Sequence, residues 1–124
     1  MLLWLHSREI RDAVGVEIKK FQESHPRFQP RLAIVQAGNR PDSSIYVRMK
    51  IKAAEEVGIK INHIQLPGEA EVKEVVSVVE RLNADSTVSG ILVQLPLGPH
   101  IGAAGERIVT EAVSPEKDVD GCVF

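Results

Sequence analysis

Apolar positions along the chain follow two spacings, one typical of helices and one typical of buried strands. After Ser7, a candidate N-cap, apolar residues recur at helical spacing as far as Phe21 and predict a helix over about residues 8–23. Two later stretches of helical spacing end at Gly58, a candidate C-cap, and just before Pro115, respectively. The later predicted helices run from Ser43 or Ser44 to Gly58, along an apolar stripe from Val72 to Leu82, and over a short segment around Ile108, Val109 and Ala112.

Three short runs between these helices have the composition of strands. LAIVQ (32–36) lies between Pro30 and Gly38 and is typical of a strand buried on both faces; KINHIQ (60–65) and GILVQLP (90–96) follow it. Because strand alternates with helix, the sequence predicts an α/β fold, a three-layer sandwich in which a short parallel sheet of about three strands has helices on both faces. No linker or repeat divides residues 1–124, which predicts a single domain.

Composition narrows the classes of partner and compartment. Lys and Arg total 15 against 17 Asp and Glu, with no block of one sign, so we expect neither a nucleic-acid nor a membrane partner. The opening MLLWLHSREI has no basic segment and falls far short of the ~20 apolar residues of a membrane span. A single cysteine, Cys122, cannot form an internal disulfide. We expect a soluble chain of the cytoplasm, with the mitochondrial matrix as the alternative.

Candidate chemistry lies where ligands of parallel sheets usually bind, beyond the carboxyl ends of the strands. The first strand leads into AGNRPDSS (37–44) and the third into QLPLGPH (94–100), and Tyr46 and Lys50 lie one turn apart on the helix after the first strand. Tyr-x-x-x-Lys also occurs in short-chain dehydrogenases. That alternative requires a glycine-rich dinucleotide loop, and AGNRPDSS offers only Gly38.

Three ordered motifs carry a more specific resemblance. VQAGNRPDSSIYVRMKIKAAEEVGI, GILVQLPL and PEKDVDG resemble the substrate domain of the methylenetetrahydrofolate dehydrogenase/cyclohydrolase family, and most of all the amino-terminal part of eukaryotic trifunctional one-carbon tetrahydrofolate synthases. The likeness runs from about residue 30 to residue 121. It implies a protein that binds a reduced folate and takes part in interconverting one-carbon tetrahydrofolates.

The resemblance also implies three catalytic residues. Lys50 matches the lysine that transfers protons around the one-carbon unit and activates water, which an amine can do when its surroundings lower its pKa toward ~7–8. Tyr46 matches the tyrosine that packs on the pterin. Gln94 matches the glutamine that holds the lysine without adding a charge. Without the resemblance, each has an ordinary structural reading: a solvated lysine, a half-buried tyrosine and a strand-end glutamine.

Further residues are implied in substrate binding. Leu95 and Pro96 follow Gln94 in the motif, and Asp120 matches the carboxylate that accepts two hydrogen bonds from the pterin. Asp118 is the rival carboxylate within KDVDG, and an Asp-Gly turn is the structural reading of that motif. No residue is predicted to bind a metal or the cofactor.

The resemblance implies NADP as the cofactor of the full-length enzyme, bound by a second domain, and a homodimer. We expect residues 1–124 to be a truncated folate-binding catalytic domain without dehydrogenase activity of its own. Where relatives read LPLP this chain has Leu97-Gly98-Pro99, which we expect to loosen the loop beside Gln94. A non-catalytic folate-binding or subunit-pairing module, and an α/β interaction domain with accidental motif matches, are the alternatives.

Overall fold

The structure, a computed structural model, describes residues 7–119 and confirms the predicted α/β architecture. Helices and strands alternate along the chain, as the two spacings of apolar residues require. The strands are β1 (Arg31–Ala37), β2 (Lys60–Leu66) and β3 (Gly90–Val93), and the helices are α1 (Arg8–Ser24), α2 (Pro41–Glu56), α3 (Val72–Ala84) and α4 (Gly102–Ala112), followed by a 3-10 turn at Pro115–Lys117.

The three strands form one parallel sheet in the order β2-β1-β3. Ile34 at the centre of β1 is in register with His63 of β2 and with Leu92 of β3. Because all three strands point the same way, their carboxyl ends lie along one edge of the sheet. The loops that follow β1 and β3 therefore meet at that edge.

Alternate residues of β1 face opposite layers of helices. On one face Leu32 and Ile34 pack in a cluster with Val47 and Ala53 of α2. The residues between them, Ala33, Val35 and Ala37, belong to a larger cluster with apolar residues of α3 and α4. A central strand buried on both faces explains the continuous apolar run in the sequence.

Helix α1 is less buried than its apolar stripe predicts. Ser7 caps it by accepting a hydrogen bond from the backbone N–H of Ile10 at 3.3 Å. The helix packs beside the carboxyl end of α2, where an ideal Cβ at Gly15 would lie 3.6 Å from the Cα of Val57. Ile10 and Phe21 nevertheless stay about half exposed. The helical spacing was read correctly, but among residues 7–119 little covers that face.

Two predicted boundaries were wrong. Helix α2 begins at Pro41 instead of Ser43 or Ser44, because proline fits the first helical position, where no backbone N–H is needed. Strand β3 ends at Val93 instead of residue 96. The chain leaves the sheet at Gln94, whose backbone N–H still donates to the carbonyl of Val35 at 2.8 Å, and no strand pairing continues beyond it.

Candidate functional site

Lys50 and Gln94 meet at the carboxyl edge of the sheet. The Nζ of Lys50 donates a hydrogen bond to Oε1 of Gln94 at 2.9 Å. Gln94 is buried, and its Nε2 donates to the backbone carbonyl of Leu95 at 3.0 Å. Both polar ends of the amide are thus engaged, which fixes its oxygen toward the amine. Lys50 itself is half-buried.

Tyr46 lies one turn before Lys50 on α2. The residue is 56% exposed, which a core tyrosine would not be. Residues four apart on a helix are neighbours on its surface. The structure therefore places an exposed aromatic ring beside the amine that Gln94 holds.

Gln36 is a polar residue of this edge that the sequence analysis did not single out. It is 2% exposed. It lies beside Gln94, because Val35 and Val93 are register partners and each is followed in the chain by one of the two glutamines. Both glutamines face α2, on the same side of the sheet as Ile34 and Leu92. The signal was present in the sequence: glutamine follows two apolar residues both in IVQ (34–36) and in LVQ (92–94).

The loop after β3 carries the other predicted contacts. Leu95 and Pro96 are exposed, and the peptide bond between them is cis. Leu97 is buried, and its backbone N–H donates to the carboxylate of Glu106 on α4 at 2.8 Å. This loop thus presents Leu95 and Pro96 outward while α4 holds the residue that follows.

Gly98 and His100 fit together in the same loop. A Cβ at Gly98 would lie 2.4 Å from Cε1 of His100 and 2.9 Å from the carbonyl oxygen of Gly68. The Nε2 of His100 lies 3.0 Å from the carbonyl oxygen of Ala70, which can only accept the hydrogen bond. Gly98, where this chain departs from the LPLP motif, therefore leaves room for the ring of His100. The side chain of His100 in turn contacts the loop after β2.

A cleft of about 440 Å³ opens beside this loop. Among the predicted site residues that lie within 7–119, Pro96 alone lines it; Lys50, Tyr46 and Gln94 do not. Its walls come from the loops after β1 and β3 and from the first turns of α4.

Asp120 lies outside the described residues, so its predicted contact with the pterin has no structural test. The chain before it is firmly placed: the ammonium of Lys117 donates to the carbonyls of Leu82, Asn83 and Asp85 at 2.9, 2.9 and 2.7 Å. Asp118 then forms an isolated parallel β-bridge with Ile91 of β3. Residues 117–119 of the KDVDG motif thus lie beside β3, on the side that does not pair with β1.

Charged groups elsewhere do not form a second site. A hydrogen bond from the Thr87 hydroxyl, joined by one from its backbone N–H, holds the pKa of Asp85 below its usual value, in the exposed turn before β3. Within residues 7–119 no three His, Cys, Asp or Glu side chains come together in a way that could hold a metal ion. Over the same range, no helix has the length and apolar character needed to cross a membrane.

An α/β fold that carries these side chains at the carboxyl edge of a parallel sheet belongs to the class in which small ligands bind at that edge. A neutral amide holds an amine in place without adding a charge beside it, and an exposed aromatic ring offers a stacking surface one turn away. Comparison with known proteins agrees with this class. Residues 5–120 match the family model of the tetrahydrofolate dehydrogenase/cyclohydrolase catalytic domain, and the chain belongs to that family.

Curated relatives are multifunctional folate enzymes. The chain is 48% identical over 115 residues to the cytoplasmic C-1-tetrahydrofolate synthase of Homo sapiens and 50% identical over 115 residues to that of Saccharomyces cerevisiae. Each match covers 93% of this chain but 12% of the relative. The chain thus spans about an eighth of the length of these relatives.

Solved structures show the same fold. The methylenetetrahydrofolate dehydrogenase-cyclohydrolase of Trypanosoma brucei, complexed with NADP cofactor and inhibitor, matches with a TM-score of 0.85 and 32% identity over 94% of this chain and 38% of that one. A 5,10-methylenetetrahydrofolate dehydrogenase from the silkworm Bombyx mori matches with a TM-score of 0.83 and 36% identity, covering 91% of this chain and 38% of that one. The chain therefore corresponds to part of each enzyme.

Proposed function

We propose that this chain binds a reduced folate at the carboxyl edge of its sheet and hydrolyses methenyltetrahydrofolate there. The hydrogen bond between Lys50 and Gln94 carries the proposal, because it holds a half-buried amine next to the exposed ring of Tyr46. Membership of the dehydrogenase/cyclohydrolase family supports the substrate class.

Lys50 acts as the proton-transfer group in this proposal. Water adds to the methenyl carbon, the amine accepts one of its protons, and opening of the five-membered ring then yields a formyltetrahydrofolate. General acid–base catalysis of this kind contributes typically about 10²–10⁴-fold. Gln94 keeps the amine in place through this hydrogen bond and, being neutral, adds no charge beside it.

The remaining predicted residues orient the folate. Tyr46 packs on the flat ring system, and Leu95 and Pro96, both exposed, supply apolar contacts from the neighbouring loop. Asp120 accepts two hydrogen bonds from the pterin, which fixes the ring's orientation. These roles rest on the match to the family's motifs.

The whole enzyme would also oxidise methylenetetrahydrofolate. We propose NADP as the hydride acceptor, since the Trypanosoma brucei relative is complexed with it, and a homodimer as the working assembly. Hydride transfer requires both rings to be held at about 3–3.5 Å. Residues 7–119 account for the folate side of that pair. A non-catalytic folate-binding or subunit-pairing module is the second candidate, because the chain spans only 12% of its curated relatives.

The cytoplasm is the proposed compartment. The human and budding-yeast relatives are both cytoplasmic enzymes by name, whereas a relative from Schizosaccharomyces pombe, 44% identical over 117 residues, is mitochondrial. Fractionation of cells that express the chain with its native termini tests this assignment.

Titration of the purified 124-residue chain with 5,10-methenyltetrahydrofolate tests the function. Saturable binding together with hydrolysis faster than in buffer is the expected result. Binding without hydrolysis would favour the non-catalytic module. Absence of binding at millimolar folate would contradict both, and an α/β interaction domain would then be the better account.

A further inference from the structure

Gln36 is a buried amide next to the proposed catalytic one. It is 2% exposed, and Gln94 is 8% exposed. A buried amide without hydrogen-bond partners would destabilise the fold. The two side-chain contacts of Gln36 therefore explain how the fold accommodates a glutamine at this buried position of an otherwise apolar strand.

Those contacts join an edge strand to the first turns of α2. The Oε1 of Gln36 lies 2.9 Å from Nε2 of His63, and its Nε2 donates to Oγ of Ser44 at 3.3 Å. Because an amide oxygen can only accept, the Nε2 of His63 carries the hydrogen. His63 thereby turns the amide so that its NH₂ group faces Ser44. We call this chain of three side chains the Gln36 relay.

Helix α2 is consequently tied to the sheet at two points on its ligand-facing side. Gln36 holds it through Ser44, and Gln94 holds it through Lys50. The two points lie six residues apart, about 9 Å along the helix axis, with Tyr46 between them. Together with the apolar packing of Val47 and Ala53, these two hydrogen bonds set the rotation and the depth of this stretch of the helix.

We propose that Gln36, oriented by His63, is a positioning residue for the folate site. Gln36 fixes the first turns of α2 and so sets the positions of Tyr46 and Lys50 relative to the folate. Gln36 itself does not contact the folate. The inference deepens the proposed function and rests on it. A displacement of about 1 Å in a catalytic group can lower a rate about 10²-fold, so a tie of this kind has a measurable effect.

A second glutamine, at the other end of the same helix, provides a control that separates an effect on the position of the helix from an effect on the stability of the fold. Gln29 donates to the carbonyl of Gly58, just beyond α2, at 2.9 Å and to that of Pro30 at 3.1 Å. Replacing Gln29 by leucine removes an amide contact at the edge of the sheet remote from Lys50. Replacing Gln36 by leucine leaves an apolar side chain in a buried place, and the partly exposed Ser44 and the exposed His63 regain water.

The experiment compares Gln36→Leu, Gln29→Leu, His63→Leu and His63→Gln in the 124-residue chain. For Gln36→Leu we expect the Kd for 5,10-methenyltetrahydrofolate to be about 10-fold higher and the urea midpoint to be unchanged. Gln29→Leu should lower the urea midpoint and leave the Kd unchanged. His63→Leu should behave like Gln36→Leu, and His63→Gln, which keeps a donor toward Gln36, should restore binding.

Amide hydrogen exchange of residues 44–47 supplies a readout that needs no folate. Gln36→Leu should speed exchange there, and Gln29→Leu should not. Equal folate affinity of Gln36→Leu and the wild type would overturn the inference, as would unchanged exchange at residues 44–47. If the wild type binds no folate, the proposed function fails, and the exchange measurement alone then decides whether the Gln36 relay holds α2.

Discussion

The ammonium of Lys50 and the amide oxygen of Gln94 lie 2.9 Å apart and join the middle of α2 to the end of β3. Because the two residues are 44 positions apart in sequence, only the parallel sheet brings them together. An amine held by a neutral, buried partner keeps its position in both protonation states. A proton-transfer group in the proposed site needs this property.

Replacing Gln94 by glutamate should change the pH dependence of hydrolysis. A carboxylate beside Lys50 favours its charged form and raises the pKa of the amine, so the amine loses its proton only at higher pH. The ascending limb of the rate–pH profile should therefore move to higher pH. Asn62→Asp places the same charge at an exposed position of the edge strand β2 and should leave the profile where it is. An unmoved profile for Gln94→Glu would remove Lys50 from the proton-transfer role.

Asp120→Ala should weaken folate binding more than Asp118→Ala. Loss of a charge-assisted contact costs about 1.5–3 kcal/mol, which corresponds to an affinity about 10- to 150-fold lower. Calorimetric titration of the two variants with 5,10-methenyltetrahydrofolate measures the difference. A larger loss for Asp118→Ala would show that the other carboxylate of the motif binds the pterin.

Gly98→Ala should destabilise the fold, because the new Cβ would lie 2.9 Å from the backbone carbonyl oxygen of Gly68 and would also meet the ring of His100. Overpacking of this kind costs typically about 1–3 kcal/mol. In a His100→Ala background the same change should cost less, with a remainder from the carbonyl of Gly68. Urea unfolding of the two single variants and the double variant measures the coupling. Strictly additive free energies of unfolding would show that Gly98 and His100 do not constrain each other.

Lys117→Met should lower the free energy of unfolding by about 1.5–3 kcal/mol, the range for a hydrogen bond to a charged group. The ammonium of Lys117 donates to three backbone carbonyls around the end of α3, and methionine cannot replace any of them. Lys73→Met, at an exposed position of the same helix, is the control and should change stability little. Equal urea midpoints for the two variants would contradict this account.

Much of the fold could be predicted because local pattern and tertiary environment agree. LAIVQ reads as a strand buried on both faces, and β1 is the central strand of the sheet. The end of β3 could not be placed, because Leu95 and Pro96 follow Gln94 as further apolar residues, while the chain already turns away after Val93. The exposed face of α1 could not be predicted either. Helical spacing shows which side of a helix is apolar, but not whether another element covers it.

The candidate site was predicted through ordered motifs more than through residue type. Taken singly, Lys50 reads as a surface lysine, and the contact with Gln94 depends on strand order, which spacing alone does not give. Gln36 was missed because a glutamine that ends an apolar strand has many ordinary roles. Its burial and its contacts with His63 and Ser44 exist only in three dimensions.

Hydrolysis of 5,10-methenyltetrahydrofolate by the wild type, Lys50→Met and Lys52→Met tests the central claim most directly. Lys52 is exposed on the same helix and controls for the loss of a positive charge. We predict that Lys50→Met lowers the rate above buffer by about 10²–10⁴-fold with an unchanged urea midpoint, and that Lys52→Met retains the wild-type rate. A folded Lys50→Met variant that hydrolyses the substrate at the wild-type rate would contradict the assignment of this site.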